Sequence, residues 1–200
     1  MRNYYSISGI IGTISILLII VVFSFLTPGY SHIWQTISEL NGSDSALRLP
    51  MNICYTFGFS FLIIFSCFFT FSKNYYAKFS GFLMIVAILL IIFMNWFLPM
   101  DSIAGIRTAR DQAHNNTITL AVIIFLLSQI FAVLFWQLRK EKFLRDVTAY
   151  TLVISLIFGL MSLYANITRS ELINLSERGW MLSFLIYFLL IAKNLPKKFS

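Results

Sequence analysis

The feature that most constrains this chain is a series of six long apolar runs separated by short polar segments. The runs cover about residues 7–27, 51–72, 79–99, 117–138, 147–166 and 179–195. Each is close to the roughly 20 residues that a helix needs to cross a bilayer. Since 58% of the residues are hydrophobic and 12% are charged, a soluble core could not hold this much apolar surface. The sequence therefore predicts an all-α membrane protein, a six-transmembrane-helix bundle that forms a single integral membrane domain over residues 1–200.

The basic residues are unevenly distributed between the two sides of this predicted bundle. If the spans alternate in direction, ten of the 15 Lys and Arg residues lie on the side of both termini. Cytoplasmic loops of membrane proteins carry the excess of Lys and Arg. The sequence therefore predicts a multi-pass protein of the cell membrane with cytoplasmic N- and C-termini. Six of the 8 acidic residues and both histidines lie on the opposite, extracytoplasmic side.

The formal net charge of +7 comes from the short basic flanks of the spans. Each Lys or Arg near an anionic leaflet contributes roughly 1 kcal/mol of attraction to acidic headgroups. We therefore expect membrane lipids as partners and no nucleic acid. The sequence leaves the oligomeric state open.

A short amphipathic segment, GYSHIWQTISEL, follows the first apolar run at residues 29–40. At the 3.6-residue period its apolar residues fall on one side, and His32 and Glu39 fall on the other. The pattern predicts a short interfacial helix that Ser31 caps and that ends after Leu40. Two interpretations of its polar face stay open: it faces water, or it faces a cavity between the spans.

The loop between the third and fourth runs, residues 100–116, is dense in ionisable side chains. Pro99 ends the third run and Asp101 follows at once, whereas His114 stands just before the fourth run. Because the two helices are antiparallel neighbours, we expect Asp101 and His114 to be able to meet across the turn. The alternative is a solvated loop whose charges pair weakly.

Glu177 and Arg178 stand at the start of the sixth and weakest run. Because that run is short, both side chains are drawn towards hydrocarbon, where an ionised group is costly unless it is paired. Ser176 is the expected N-cap of this helix. The candidate partners are each other, lipid phosphate, Asp101 and Glu39.

Four short motifs in order along the chain, PGYSHIWQTISEL, LPMD, AHN and SERGW, carry a resemblance to a known family. In these motifs the chain resembles the prokaryotic six-span membrane proteins of the domain-of-unknown-function family numbered 998. The likeness covers nearly the whole chain. It implies a six-helix architecture with polar positions at one membrane face, and it implies no particular activity.

The chain is more weakly similar to the superfamily of alkaline ceramidases and adiponectin-receptor-type proteins. Their seven-helix bundles hold zinc with three His, a Ser and an Asp near one face. This likeness implies that Ser38, Asp101 and His114 stand for part of that set. The chain has only 2 histidines and lacks a seventh span, so one chain cannot form a three-histidine zinc site.

Two functions fit these residues, beside a third interpretation as a purely structural bundle with solvated loops, and the first function is binding. A small multi-pass membrane protein would bind or sense a lipid or a partner protein through the extracytoplasmic polar site. The candidate ligand-binding residues are His32, Glu177 and Arg178. This function needs no catalytic geometry, and we favour it because the chain carries no reaction motif of the H-E-x-x-H or G-x-S-x-G kind.

The alternative is a lipid- or envelope-directed hydrolase, either metal-dependent or working by acid–base chemistry. Its catalytic candidates are His114 as base or ligand, Asp101 and Glu39 as carboxylate partners, and Ser38 as a polar aid. If a metal is bound, the candidate ligands are His32, His114 and Asp101. Two His and a carboxylate would leave an open position on a catalytic zinc ion.

Overall fold

The computed structural model describes residues 2–31, 35–101, 108–168 and 172–196 of the chain. In these ranges the helices are α1 (Arg2–Leu26), α2 (Ile37–Leu40), α3 (Arg48–Thr70), α4 (Tyr75–Phe97), α5 (Ala109–Leu138), α6 (Lys142–Thr168) and α7 (Leu172–Lys193). All except α2 are long and apolar enough to cross a membrane. The all-α fold with six spans is therefore confirmed.

Two spans begin well before the apolar runs from which they were predicted. α5 begins at Ala109 and α7 at Leu172, whereas the runs begin at about residues 117 and 179. At 1.5 Å per residue, the 30 residues of α5 extend about 45 Å, which exceeds a hydrocarbon core of roughly 30 Å. The polar first turns of these helices therefore extend past the apolar part. The prediction of Ser176 as the N-cap of α7 was wrong, since Ser176 lies inside the helix and its hydroxyl donates to the Ile173 carbonyl.

The short helix α2 occupies only the last part of the amphipathic segment. Its N-cap is Thr36, whose Oγ1 accepts from the Glu39 N–H, while the Glu39 carboxylate accepts from the Thr36 N–H. This capping box satisfies two helix-terminal amides at once. The prediction that Ser31 caps the helix was therefore wrong. Ile37 and Leu40 are buried in the protein core rather than laid on the membrane.

The six spans form an up-and-down ring. Each span packs against the span before it, and α7 also packs against α1, which closes the ring. At one end of the bundle the Ser6 hydroxyl donates to the Ala192 carbonyl, so the starts of α1 and the ends of α7 lie together. α2 follows α1 at the opposite end, where it contacts α1 and α7.

Aromatic side chains fill the centre of the ring. Phe184 of α7 lies 6.5 Å from Phe59 of α3 and 4.8 Å from Phe125 of α5, between ring centroids. One turn further on, Phe188 lies 5.6 Å from Phe65. All five rings are fully buried. Such pairs contribute about 0.5–1.5 kcal/mol each beyond the area that they bury, so α7 is held against both α3 and α5.

Candidate functional site

Three polar side chains meet where α2 approaches the second turns of α5 and α7. We call this group the Ser38 cluster (Ser38, His114 and Glu177). Ser38 Oγ lies 2.5 Å from Glu177 Oε1 and 3.1 Å from His114 Nε2. The Ser38 backbone N–H also donates to Glu177 Oε1, at 3.0 Å. In the sequence Ser38 is 76 residues from His114 and 139 residues from Glu177. The fold therefore places its hydroxyl between an imidazole and a carboxyl group that are distant in the chain.

His114 is 3% exposed, and both of its ring nitrogens have partners. Nδ1 lies 2.6 Å from the carbonyl oxygen of Leu98, the residue that caps the end of α4. Because a carbonyl oxygen only accepts, Nδ1 must carry a proton and donate it. In the neutral ring, Nε2 is then the acceptor that faces Ser38 Oγ. This is the tautomer that a base acting on the Ser38 hydroxyl requires.

The hydrogen bonds of the Ser38 cluster determine how many protons it holds. Ser38 has one hydroxyl proton, which it can donate to His114 or to Glu177 but not to both. In the first case Glu177 must be protonated in order to donate to Ser38 Oγ. In the second case His114 must be protonated at Nε2 in order to donate to Ser38 Oγ. Both arrangements give His114 and Glu177 a combined charge of zero, so a proton can pass along the cluster without changing its charge.

The start of α5 and the end of α4 fix the position of His114. Thr108 Oγ1 accepts from the Asp111 N–H at 3.1 Å, and Asp111 Oδ2 accepts from the Thr108 N–H at 2.9 Å. Asp111 Oδ1 also accepts from the Asp101 N–H at 2.8 Å, which ties α5 to the segment that leaves α4. Because α4 ends at Phe97, the Leu98 carbonyl lies beyond the helix and is available to His114.

Asn41, which ends α2, anchors this helix to α3 and α4. Its Nδ2 donates to Asn52 Oδ1 at 2.6 Å, and Asn52 Nδ2 donates to the Asn95 carbonyl at 3.1 Å. Asn41 and Asn52 are both buried. Buried hydrogen bonds between side-chain amides are costly to break, so they hold α2, and with it Ser38, in one position.

Asp101 lies between α4 and α5, before the helix that carries His114, and its partners are not members of the Ser38 cluster. Its Oδ2 accepts from the Thr108 hydroxyl at 2.6 Å, and its Oδ1 pairs with Arg110 at 3.0 Å. The Thr108 hydrogen bond, more than the charge of Arg110, lowers the pKa of Asp101 below its ordinary value. Within the described contacts, no hydrogen bond joins Asp101 to His114. The predicted catalytic or metal-binding role of Asp101 stays a prediction.

Arg178 holds the segment that leads into α2. Its Nη2 donates to the Tyr30 hydroxyl at 2.7 Å and to the Gln35 carbonyl at 2.9 Å. The guanidinium carbon also lies 5.9 Å from the centre of the Tyr30 ring, within cation–π distance. These contacts fix the chain just before the N-cap of α2, so Arg178 helps to position Ser38. Its predicted role in ligand binding stays a prediction.

Glu39, another predicted site residue of the 29–40 segment, has its described hydrogen bond in the capping box of α2 and not in the Ser38 cluster. Glu39 is exposed, and its carboxylate accepts from the Thr36 N–H in the capping box of α2. It thereby stabilises the helix that carries Ser38. His32 lies outside the described residues. The catalytic role of Glu39 and the ligand role of His32 stay predictions.

A cavity of about 240 Å³ lies between α5, α6 and α7, and Ser38 and Glu177 form part of its lining. Most of its wall is apolar, with Val122 and Leu126 contributed by α5 and Leu156 by α6. The cavity therefore has a polar end at the Ser38 cluster and apolar walls among the membrane-spanning helices.

The part of the chain that the structure describes contains no group of three His, Cys, Asp or Glu side chains placed to hold a metal ion. His114 uses both ring nitrogens in hydrogen bonds, and Asp101 is bonded to Thr108 and Arg110. His32, the third predicted ligand, is outside the described ranges. The zinc ion that the sequence suggested stays a prediction.

Sequence reasoning named Ser38, His114 and Glu177 but did not pair Glu177 with Ser38, and it missed Leu98 altogether. Leu98 acts through its main-chain carbonyl, which no side-chain pattern marks. The cavity-lining residues, such as Ser162 on α6, form no motif either. The one available signal was the end of α4 before Pro99, which predicts a carbonyl without a helical partner.

A family model described as "Protein of unknown function (DUF998)" matches residues 10–193 of the chain. The match spans most of the chain, so the chain belongs to this family, and the resemblance carried by the four motifs is confirmed. No curated protein and no solved structure matches the chain.

Proposed function

We propose that this member of the DUF998 family binds one membrane lipid in the cavity between α5, α6 and α7. An alkyl chain of the lipid occupies the apolar part, and a polar group of the lipid lies at the Ser38 cluster. The observation that carries the proposal is the cavity, which has apolar walls and a polar end lined by Ser38 and Glu177. Apolar pockets with a few convergent polar groups are the usual form of small-molecule sites.

The wall contributed by α5 suits a hydrocarbon chain. Ile118, Val122 and Leu126 line the cavity at intervals of four residues, so they follow one face of the helix. The helix rises about 12 Å from the first of these residues to the last. Lipid tails are as apolar as these side chains. The affinity for the lipid would therefore depend on how well its alkyl chain fits the cavity, rather than on the removal of that alkyl chain from water.

The charge of the polar end favours an uncharged lipid group. His114 and Glu177 have a combined charge of zero in either arrangement of their protons, so a charged group there would meet no uncompensated opposite charge. Asn115 and Thr119 also line this end of the cavity and offer an amide and a hydroxyl. We therefore infer a hydroxyl or an ester carbonyl as the polar group that Ser38 contacts.

Filling the cavity tests the binding proposal. Ser162 lines the cavity from α6, and phenylalanine at this position would occupy volume that the lipid chain needs. We expect native mass spectrometry of the purified wild-type protein to show one retained lipid per chain. Ser162→Phe should lower its affinity at least about tenfold, which corresponds to about 1.4 kcal/mol.

Ser60→Phe is the matched control, because it makes the same substitution at an exposed position of α3 outside the cavity. This variant should retain the lipid as the wild type does. Equal retention by Ser162→Phe and Ser60→Phe, or no retained lipid in the wild type, would contradict the proposal.

We further propose that the Ser38 cluster faces the outside of the cell membrane and that both termini are cytoplasmic. The excess of Lys and Arg on the side of the termini supports this orientation. In a chain whose Cys54 and Cys67 are replaced by serine, a membrane-impermeant maleimide should label Asp44→Cys in intact cells. It should label Lys73→Cys only after lysis, and the reverse pattern would contradict the proposed orientation.

A second candidate function is hydrolysis of an ester lipid, and the contact between Ser38 and His114 favours it. The distance of 3.1 Å from Oγ to Nε2 is within reach for a general base. The bond from His114 Nδ1 to the Leu98 carbonyl orients the base. A nucleophile, a base and a group that orients the base are the recurring parts of covalent catalytic sites.

In this reaction Ser38 Oγ attacks the ester carbonyl carbon, and its proton passes to His114 Nε2. The bond from that carbon to the alcohol oxygen breaks, and a protonated Glu177 gives its proton to the leaving oxygen. Water then attacks the acyl-serine and gives a proton to the Glu177 carboxylate, while His114 returns a proton to Ser38 Oγ. The fatty acid leaves, and the cluster regains its original protons.

A fluorophosphonate probe, which reacts with activated serines, separates the two candidates. Hydrolysis predicts that the wild type is labelled and that Ser38→Ala is not. Binding alone predicts that neither is labelled, while the lipid is still retained.

A further inference from the structure

A second pocket, of about 220 Å³, lies at the turn between α5 and α6, at the end of the bundle that carries the termini. We call it the α5–α6 pocket. Trp136, Gln137, Lys140, Lys142 and Arg145 line it. Three of these five side chains are cationic, so the pocket is suited to an anion.

Lys140 is held in a backbone conformation that lysine rarely adopts. Its φ of 58° lies in the left-handed region, which glycine enters without strain. The turn is a Schellman motif, in which the Lys140 N–H donates to the Gln137 carbonyl and the Glu141 N–H donates to the Trp136 carbonyl. Glycine is the usual residue at this position of the motif. The backbone of the turn therefore does not account for a lysine at this position. The strained conformation instead indicates that the lysine side chain has a function.

The net charge of the α5–α6 pocket rests mainly on its two lysines. Arg145 donates to Asp146 Oδ1 at 2.8 and 2.7 Å, so Asp146 offsets much of its charge. A third bond, to Gln137 Oε1 at 2.8 Å, holds the guanidinium in the wall of the pocket. Lys140 and Lys142 are exposed, and neither forms a salt bridge with a described residue. Lys142 also begins α6, so the positive end of the helix dipole adds to the attraction for an anion.

From this arrangement we infer that the α5–α6 pocket binds the phosphate group of an anionic phospholipid. Apolar side chains beside the pocket point to a lipid rather than to free phosphate. Leu138 ends α5 and is 60% exposed, and Phe143 in the first turn of α6 is 56% exposed. Exposed apolar residues of this size next to cationic residues are typical of the membrane interface, where the former meet lipid tails and the latter meet headgroups.

This inference does not depend on the proposed lipid in the cavity between α5, α6 and α7. The two sites lie at opposite ends of the bundle, and they differ in charge. Loss of phospholipid from the α5–α6 pocket would therefore leave retention of a lipid at the Ser38 cluster unchanged.

Lys140→Gly tests the inference, because glycine suits the left-handed turn and removes only the side chain. Purified full-length protein in a neutral detergent is titrated with phosphatidylglycerol and with phosphatidylcholine of the same chains. Native mass spectrometry then measures the bound lipid. The wild type should prefer phosphatidylglycerol, and Lys140→Gly should bind it about fivefold more weakly, the effect of one cation near an acidic headgroup. The melting temperature of Lys140→Gly should not fall below that of the wild type.

Lys73→Gly is the matched control, since it removes the same charge from the α3–α4 turn at the same end of the bundle. It should leave the affinity for phosphatidylglycerol unchanged. Lys142→Ala provides a second variant within the pocket, with an expected loss of about fivefold.

An equal loss in Lys140→Gly and Lys73→Gly would overturn the inference, because it would indicate general attraction to a basic surface. Unchanged affinity in both pocket variants would overturn it as well. Inorganic phosphate distinguishes the two sources of the anion. If millimolar phosphate displaces phosphatidylglycerol completely, the pocket takes free phosphate and the assignment to a lipid fails.

Discussion

Gly81→Ala is expected to lower the free energy of unfolding by about 3 kcal/mol, the upper part of the range for overpacked cores. Gly81 lies on α4 where this helix approaches the end of α3. A β-carbon at Gly81 would lie 2.5 Å from the backbone nitrogen of Thr70 and 2.7 Å from the carbonyl oxygen of Ser66. Because both atoms belong to the backbone of α3, a change of side-chain rotamer cannot relieve the contact. The two helices must separate, and the aromatic packing of the ring loosens with them.

Gly159→Ala is the matched control for this prediction. Among the described residues, a β-carbon at Gly159 would meet only the Val122 side chain, at 3.3 Å, beside the cavity between α5, α6 and α7. Size-exclusion chromatography of heated, detergent-solubilised protein gives the melting temperature of each variant. We expect a large decrease for Gly81→Ala and a small change for Gly159→Ala. Equal melting temperatures in the two variants would show that α3 and α4 do not pack this closely.

The second large effect is expected at Glu177. Glu177→Leu leaves the Ser38 backbone N–H without its acceptor at the end of the cavity, while the Ser38 hydroxyl can still donate to His114 Nε2. An unsatisfied polar group that is buried costs about 1–3 kcal/mol, so we expect a loss of about 2 kcal/mol. Glu177→Gln keeps an oxygen that accepts from the Ser38 N–H, and its loss should be about 1 kcal/mol.

Thermal unfolding in detergent measures both variants, and native mass spectrometry reports the retained lipid. Glu177→Leu should lose stability and lipid together, whereas Glu177→Gln should keep most of both. Glu141→Leu, at the other end of the bundle, controls for the loss of a carboxylate. If Leu and Gln at position 177 had the same effect, the carboxyl oxygen would have no part in holding Ser38.

The spans could be predicted from the sequence because crossing a membrane requires a length of apolar residues. The same criterion misses the first turns of α5 and α7, because hydropathy detects the buried part of a helix and not its polar extension. This difference matters for function. His114 was expected just before the fourth helix and Glu177 at the very start of the sixth, whereas each lies in the second turn of its helix, where it contacts Ser38.

The Ser38 cluster could be predicted only in part. Polarity at one membrane face drew attention to Ser38, His114 and Glu177, which the structure brings together. The same reasoning gave equal weight to Asp101 and Glu39, whose carboxylates serve the starts of α5 and α2. The difference depends on the two capping boxes, Thr36 with Glu39 and Thr108 with Asp111, and on helix packing that joins Ser38 to a residue 139 positions later. Neither follows from residue types alone.

The account depends on one central claim, that the cavity between α5, α6 and α7 receives a lipid whose polar group reaches Ser38. A photoreactive lipid with a diazirine near the end of its chain tests this most directly. After irradiation in membranes, peptide mass spectrometry identifies the labelled residues. The account predicts labelling concentrated at the cavity wall, at Val122 and Leu126. Labelling spread over the exposed outer faces of all six spans, in proportion to their exposure, would contradict it.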